Sequence, residues 1–209
     1  GLAGKTLIVL VGDHGESLGD HGEGTHGYFI YDCVLHVPFL IATPFSGLRG
    51  KRVPSQVSTA DVFPTILDLV SLSSPVKAQG RSLVPLMFEA AKSDNVSAYG
   101  ESMAPNLQFG WSALHALRTE RYKYIDAPRA ELYDLIRDPA ERMNILPQSP
   151  DVARRMKSEL DRFMAETSLG APTPQAANLD KDTMERLSAL GYIGAPVSAK
   201  KASGGSWPL

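Results

Sequence analysis

The sequence predicts an α/β fold: the C-terminal portion of a mixed sheet flanked by helices, followed by a small antiparallel β subdomain with a packed helix. Three observations carry this. Residues 7–11 form an unbroken apolar, largely β-branched run without period-2 alternation, as in a strand covered on both faces of a parallel sheet. Residues 59–70 place Val62, Phe63, Ile66, Leu67 and Val70 at helical spacing. From Val96 onward short alternating segments take over, and one long amphipathic helix begins at Ser149-Pro150, a serine cap followed by proline at the first position.

The first strand ends abruptly in Gly12-Asp13-His14-Gly15-Glu16. A glycine on each side of Asp13-His14 lets the backbone turn sharply. In open α/β sheets ligands bind at the carboxyl ends of strands, so an acid and an imidazole stand where such folds place chemistry. Residues 17–27 are a glycine-rich polar loop carrying Asp20, His21, Glu23 and His26. Residues 37–42 read as a second buried-type strand, with Pro38 near its start where a missing N–H is tolerable. In the helix at 59–70, Pro64 sets the regular part to begin near Asp61, which places the proline in the first turn. Residues 80–87 read as a short loop and a helical turn.

In the second half, 98–102 reads as a strand and 111–126 as a hairpin turning near Thr119-Glu120. Tyr122 and Tyr124 alternate as on a half-exposed sheet, with Lys123 between them read as solvated, like Arg137 and Arg142. Residues 131–135 form a further strand. The helix from Ser149 buries Val152, Met156, Leu160, Phe163 and Met164. Residues 171–177 are a Pro/Ala/Gln linker, 182–190 a short helix closed by Gly191, and 195–209 a tail expected to be disordered. The domain organisation is therefore 1–95, part of an α/β domain; 96–170, a small sheet with its helix; and 171–209, linker, short helix and tail.

Composition narrows the function. Of 209 residues, 43% are apolar and 21% charged, as in ordinary globular proteins. A net charge of −2 gives no nucleic-acid footprint. No apolar run approaches the ~20 residues of a membrane span. Cys33 is the single cysteine, so an internal disulfide is excluded and a small, partly buried thiol expected. A core strand begins almost at the first residue, which suggests a piece of a longer protein.

Adjacent aspartate and histidine can reach one divalent ion, carboxylate suiting a hard cation and imidazole suiting zinc or manganese. Two donors do not complete a site. His26 lies thirteen residues beyond Asp13, across the glycine loop, and could return to the same point. The plainer alternative is a capping or solvated pair. His21 and Glu23 repeat the Asp-His-Gly-Glu pattern and read as loop structure rather than a second metal pair. His36 reads as structural, and His115 as a hairpin residue without an acid partner.

The stretch from Thr6 to His26, followed by Tyr31-Asp32 and His36-Val37-Pro38-Phe39-Leu40-Ile41, resembles the metal-binding segment of the sulfatases of the alkaline phosphatase superfamily. Four further pieces resemble the family in the same order: the helix from Val57 to Asp68, Gly80-Arg81-Ser82-Leu83, the sheet segments Arg118 to Tyr124 and Glu131 to Asn144, and Leu190-Gly191-Tyr192-Ile193-Gly194. The resemblance is to the C-terminal part of an arylsulfatase-like enzyme of bacterial type. It implies an alkaline-phosphatase-like sheet and a sulfuric ester hydrolase acting on a small-molecule or saccharide sulfate ester. It further implies Asp13 and His14 as metal ligands, with calcium as the ion, or zinc or manganese in phosphate-ester relatives. His26 matches the place of a lysine that contacts the sulfate. The family's nucleophile is a formylglycine made within a C/S-x-P-x-R motif; no such motif occurs in this sequence, so the chain alone is expected to be inactive. Many bacterial members are exported, which implies a periplasmic or extracellular setting. The rivals are a phosphodiesterase or phosphoethanolamine transferase of the same superfamily, and a non-catalytic pseudo-sulfatase module. Leu132-Tyr133-Asp134-Leu135 and Asp138-Pro139-Ala140-Glu141-Arg142 favour the sulfatase.

Overall fold

A computed structural model describes residues 1–45, 47–88, 96–168 and 180–189. The expected linker at 171–177, the Leu190–Gly194 segment and the tail at 195–209 lie outside the described residues. The chain divides into two compact units, residues 1–169 and 170–209. In the second, the described element is helix α6 (Lys181–Ala189), opened by Asp180, whose carboxylate accepts the Thr183 N–H at 2.8 Å.

In the first unit, β1 (Ile8–Val11) pairs antiparallel with β2 (Phe39–Ala42), Val11 opposite Phe39. The short helix α1 (Asp32–Leu35) precedes β2. After β2 a capping box forms: the Ser58 hydroxyl accepts the Ala60 N–H and Asp61 accepts the Ser58 N–H. It opens a single 3₁₀ turn that runs into α2 (Val62–Leu69), with Pro64 in the first turn as its missing N–H requires. The short helix α3 (Val84–Phe88) packs on α2. Then come β3 (Ala98–Ser102), α4 (Ala104–Phe109), β4 (Leu114–Arg118), β5 (Tyr122–Asp126) and β6 (Glu131–Asp134), and last the long helix α5 (Pro150–Ser168). Strands β3 to β6 form one antiparallel meander in sequence order. Among the described residues no helix is long and apolar enough to cross a membrane.

The meander is covered on both faces. Leu117, Tyr124 and Leu132 pack against Ala153, Met156 and Leu160 of α5. Ala116, Ile125 and Tyr133, on the opposite face by strand alternation, pack against Ile30. The stripe expected on α5 holds at Met156 and Leu160, while Phe163 stays partly exposed and stacks on Tyr99 at 4.9 Å.

The structure departs from expectation at four points. Strand β1 is not covered on both faces: Ile8 and Leu10 are 57% and 56% exposed, and its described neighbour is antiparallel. An apolar run gives a strand's environment only when all its neighbours are at hand. Helix α4 was not foreseen, because its six residues carry no periodic apolar stripe and fall between two strands. His115 does have an acid nearby: Glu101, across the β3–β4 ladder, reaches to 3.9 Å, and the Tyr99 hydroxyl lies 2.8 Å from its Nδ1.

The fourth matters most. Lys123 is fully buried, not solvated. Its face of β5 meets α1 rather than water, and its ammonium lies 3.0 Å from Asp32 Oδ1 and 2.9 Å from Glu141 Oε1. The Glu141 contact is an ion pair off the hydrogen-bonding axis; the other oxygen of that carboxylate accepts the Asp32 N–H. Arg118 grips the Asp32 carboxylate through Nε and a terminal nitrogen at 2.9–3.1 Å. Burial by itself would raise Asp32, but Lys123 and Arg118 outweigh it and hold the carboxyl below the usual range. Burial dominates at Glu141 and pushes it up.

Removing one member of a buried ion cluster leaves the others without compensation, at a cost of about 3–5 kcal/mol. Lys123→Met is therefore expected to lose about that much in urea-unfolding free energy, while Lys157→Met, on the surface of α5, changes little. The lowered Asp32 contributes stability above the unfolded carboxylate pKa, and that contribution is lost as pH falls through its folded value. Glu141 acts in the opposite sense, favouring the fold as it gains its proton. The stability gap between the natural chain and Asp32→Asn should thus be widest near neutrality. It should narrow below about pH 4, as unfolding curves across that range would register.

Candidate metal centre

The site is built where β1 stops. The Gly12 N–H still bonds the Pro38 carbonyl at 3.0 Å, extending the ladder one residue beyond β1. Asp13 then leaves the sheet. The Gly15 N–H turns back to the Val34 carbonyl at 2.7 Å, which anchors the turn on α1. Position 15 has no room for a side chain: a Cβ there would lie 2.1 Å from the Cys33 carbonyl oxygen. Glycine is required by close approach rather than by dihedral freedom.

The loop from 17 to 29 is held from inside by Glu23. Only 5% exposed, it accepts the Tyr28 and Phe29 N–H groups at 2.9 and 3.1 Å and the Ser17 hydroxyl at 3.3 Å. His21 stacks on Tyr31 at 3.5 Å, and one ring nitrogen lies 3.2 Å from the Ala140 carbonyl. Arg142, expected to be solvated, keeps its exposure but bonds Asp20 at 2.8 Å. The repeated Asp-His-Gly-Glu segment is thus loop architecture. Cys33 is half-buried, its sulfur 3.6 Å from the Ser17 hydroxyl.

This scaffold brings His14 and His26 together. Their rings stack with centroids 3.9 Å apart. The Glu16 Oε1 lies 2.6 Å from His26 Nδ1. One ligand atom each from His14, Glu16 and His26 falls within 4.8 Å of the others. Asp13 stands beside them, 79% exposed in its side chain, with Oδ2 3.8 Å from His14 Nε2. Its carboxyl is held below the usual range chiefly by the His14 N–H, which donates to Oδ1 at 3.0 Å.

These donors fit a divalent ion. Ligand atoms sit about 2.0–2.6 Å from zinc or calcium, so two donors 3.8 Å apart can share one ion. The Nδ1 of His14 lies 2.9 Å from the Gly15 carbonyl; a proton there donates to that oxygen and leaves the Nε2 lone pair for a metal. Glu16 is the donor that the sequence reading passed over. It stands two residues beyond His14 in the same motif, and a turn that brings His26 back brings Glu16 to it.

Fold and cluster together define the C-terminal portion of a sulfatase of the alkaline phosphatase superfamily. Residues 19–166 match the family described as "N-sulphoglucosamine sulphohydrolase, C-terminal", and the chain belongs to that family. Arylsulfatase K of Rattus norvegicus is 30% identical over 171 residues, spanning 76% of this chain and 30% of the relative. The Delta 4,5-hexuronate-2-O-sulfatase of Bacteroides thetaiotaomicron is 28% identical over 170 residues, spanning 77% and 35%. Among solved structures, the phosphonate monoester hydrolase of Agrobacterium radiobacter superposes with a TM-score of 0.66 at 28% identity, covering 78% of this chain and 36% of that one. The chain therefore spans about a third of the length of the proteins it matches.

Gly15→Ala tests how the turn positions the donors. Overpacking against backbone costs about 1–3 kcal/mol, and the turn must lift off α1. The expected result is a lowered melting temperature together with loss of any metal-dependent stabilisation. Gly24→Ala, where an added Cβ meets nothing, should preserve both.

Proposed function

We propose that this chain supplies metal ligands and a sulfate contact to a hydrolase of sulfate monoesters. The observation that carries the reading is the His14–Glu16–His26 cluster with Asp13 beside it, at the end of β1, in a chain of the sulfatase family. Asp13 and His14 hold the ion. A divalent metal bound there supplies positive charge to ester oxygens and acidity to a coordinated hydroxyl. Calcium is the ion the family resemblance implies, its remaining oxygen ligands coming from outside this chain. His26 faces the sulfate: Glu16 fixes its ring through Nδ1, so that Nε2, when it carries a proton, donates toward an oxygen that gains charge in the transition state. The formylglycine nucleophile belongs to a segment that this sequence does not contain, so the chain alone does not turn over substrate. A small-molecule or saccharide sulfate ester is the substrate class; the hexuronate sulfatase relative favours the saccharide.

A second reading has its own observation. The likeness to a phosphonate monoester hydrolase favours phosphoryl chemistry on the same scaffold. The ligand set adds weight, because two imidazoles and a carboxylate suit manganese or zinc better than calcium.

Thermal unfolding with calcium, manganese or zinc separates the ligand sets. Binding at a hundred times Kd stabilises by about 2.7 kcal/mol, roughly 5–10 °C at this size. No calcium shift is expected from half a site; a clear calcium-dependent rise, abolished by Asp13→Ala and retained in Glu16→Ala, would make Asp13 and His14 a more self-sufficient site than proposed. A manganese or zinc response abolished by Glu16→Ala makes the triad the ligand set. Assay of the protein encoded by the complete open reading frame then decides the chemistry: turnover of an aryl sulfate but not an aryl phosphonate is expected, and the reverse preference would sink the sulfatase reading.

A further inference from the structure

Three consecutive residues after β6 reach the two sides of the candidate centre. The Ala140 carbonyl lies 3.2 Å from His21 Nε2, and Arg142 donates to Asp20 Oδ1 at 2.8 Å. Both contacts hold the tip of the loop that carries His26. Between them, Glu141 turns the other way: its carboxylate accepts the Asp32 N–H and meets the Lys123 ammonium, which holds α1. The left-handed backbone at Glu141, φ +53°, lets neighbouring residues serve different elements. The turn is itself braced. The Asp138 N–H bonds the Asp134 carbonyl at 2.8 Å, the Asp138 carboxylate accepts the Met143 N–H at 2.8 Å, and Asn144 Oδ1 accepts the Leu132 N–H at 3.0 Å.

The two sides carry different donors. His14 stands on the α1 side, through the Gly15 N–H on the Val34 carbonyl. His26 stands on the loop side. The loop is closed at its neck by the Ser17 N–H on the Thr25 carbonyl at 2.8 Å, and again by the Gly19 N–H on the Glu23 carbonyl at 2.8 Å. Ser17 follows Glu16 and Thr25 precedes His26, so the neck makes Glu16 and His26 move as a pair. Among the described residues no hydrogen bond joins His14 to His26; their rings only stack. Glu23 ties the loop to its own continuation, and Ser17 meets Cys33 of α1 only at 3.6 Å.

We propose that Ala140, Glu141 and Arg142 form a positioning element that sets the separation of His14 from His26. Glu141 holds one side and its two neighbours hold the other, so one turn is the common reference for both rings. The proposal rests on the sulfatase reading only for the role of His26 in the reaction. Such placement has consequences for rate, since a displacement of ~1 Å caused far from the chemistry can cost about 10²-fold.

NOE spectra of this chain read the separation directly, through cross-peaks between the ring C–H protons of His14 and His26. His21→Ala combined with Arg142→Ala releases the loop tip. The cross-peak is expected to be lost, while the Ser17 amide keeps its protection from hydrogen exchange and the cross-peaks between β6 and α5 persist. A retained cross-peak overturns the proposal. Loss of Ser17 protection together with the cross-peak overturns it as well, because the loop has then melted rather than shifted. Should the double variant fail to fold, Arg142→Ala alone decides. An exposed ion pair adds little stability, so its melting temperature should hardly move. Its cross-peak should weaken and return in Arg142→Lys, which keeps a cation for Asp20; an unchanged cross-peak in Arg142→Ala overturns the proposal. The ring separation is measured without metal or ester, so a preference of the complete protein for an aryl phosphonate would sink the sulfatase reading and leave this result standing.

Discussion

The buried ammonium of Lys123 is the point on which the first unit depends. It joins four pieces of chain: its own strand β5, α1 through Asp32, the turn after β6 through Glu141, and β4 through the shared Arg118–Asp32 pair. A buried ion cluster is weak evidence of stability, since desolvation offsets most of its attraction. Its effect is to select one arrangement, because any other docking of α1 on the sheet strands a charge without a partner. Glu141 even holds a left-handed backbone, φ +53°, to present its carboxylate, a conformation that costs a non-glycine residue free energy. The consequence reaches the candidate centre. Helix α1 offers the Val34 carbonyl that anchors Gly15, so the position of His14 is set by the same cluster that seats α1 on the meander.

Much of this was legible in the residues, and the parts that were not share a cause. The Gly-Asp-His-Gly turn, the proline-opened helices and the hairpin around Thr119-Glu120 are local, each decided by a few neighbours in sequence. The burial of Lys123 is not. Period-2 alternation correctly put it on the face opposite Tyr124, but Tyr124 faces α5 and Lys123 faces α1, ninety-one residues earlier in the chain. Nothing near position 123 says that its face is covered. The same holds for β1, whose apolar composition does not say which of its faces is covered. Glu16 is a different case: it lies in the same motif as Asp13 and His14, but only the return of His26 across the loop shows that its carboxylate joins them.

The candidate centre itself divides into a closed back and an open front. Ser17 and Glu23 are buried behind the loop, and Val34 is buried beneath Gly15. The donors in front, Asp13, Glu16 and His26, remain 79%, 44% and 41% exposed in their side chains. A self-contained metal site would surround its ion with protein ligands and exclude water. Here the backing is buried and the donors are exposed, which leaves room at an ion for further ligands. On the proposed reading, what this portion contributes is position: the turn at Gly15 and the loop held by Glu23 fix where Asp13, His14 and His26 stand.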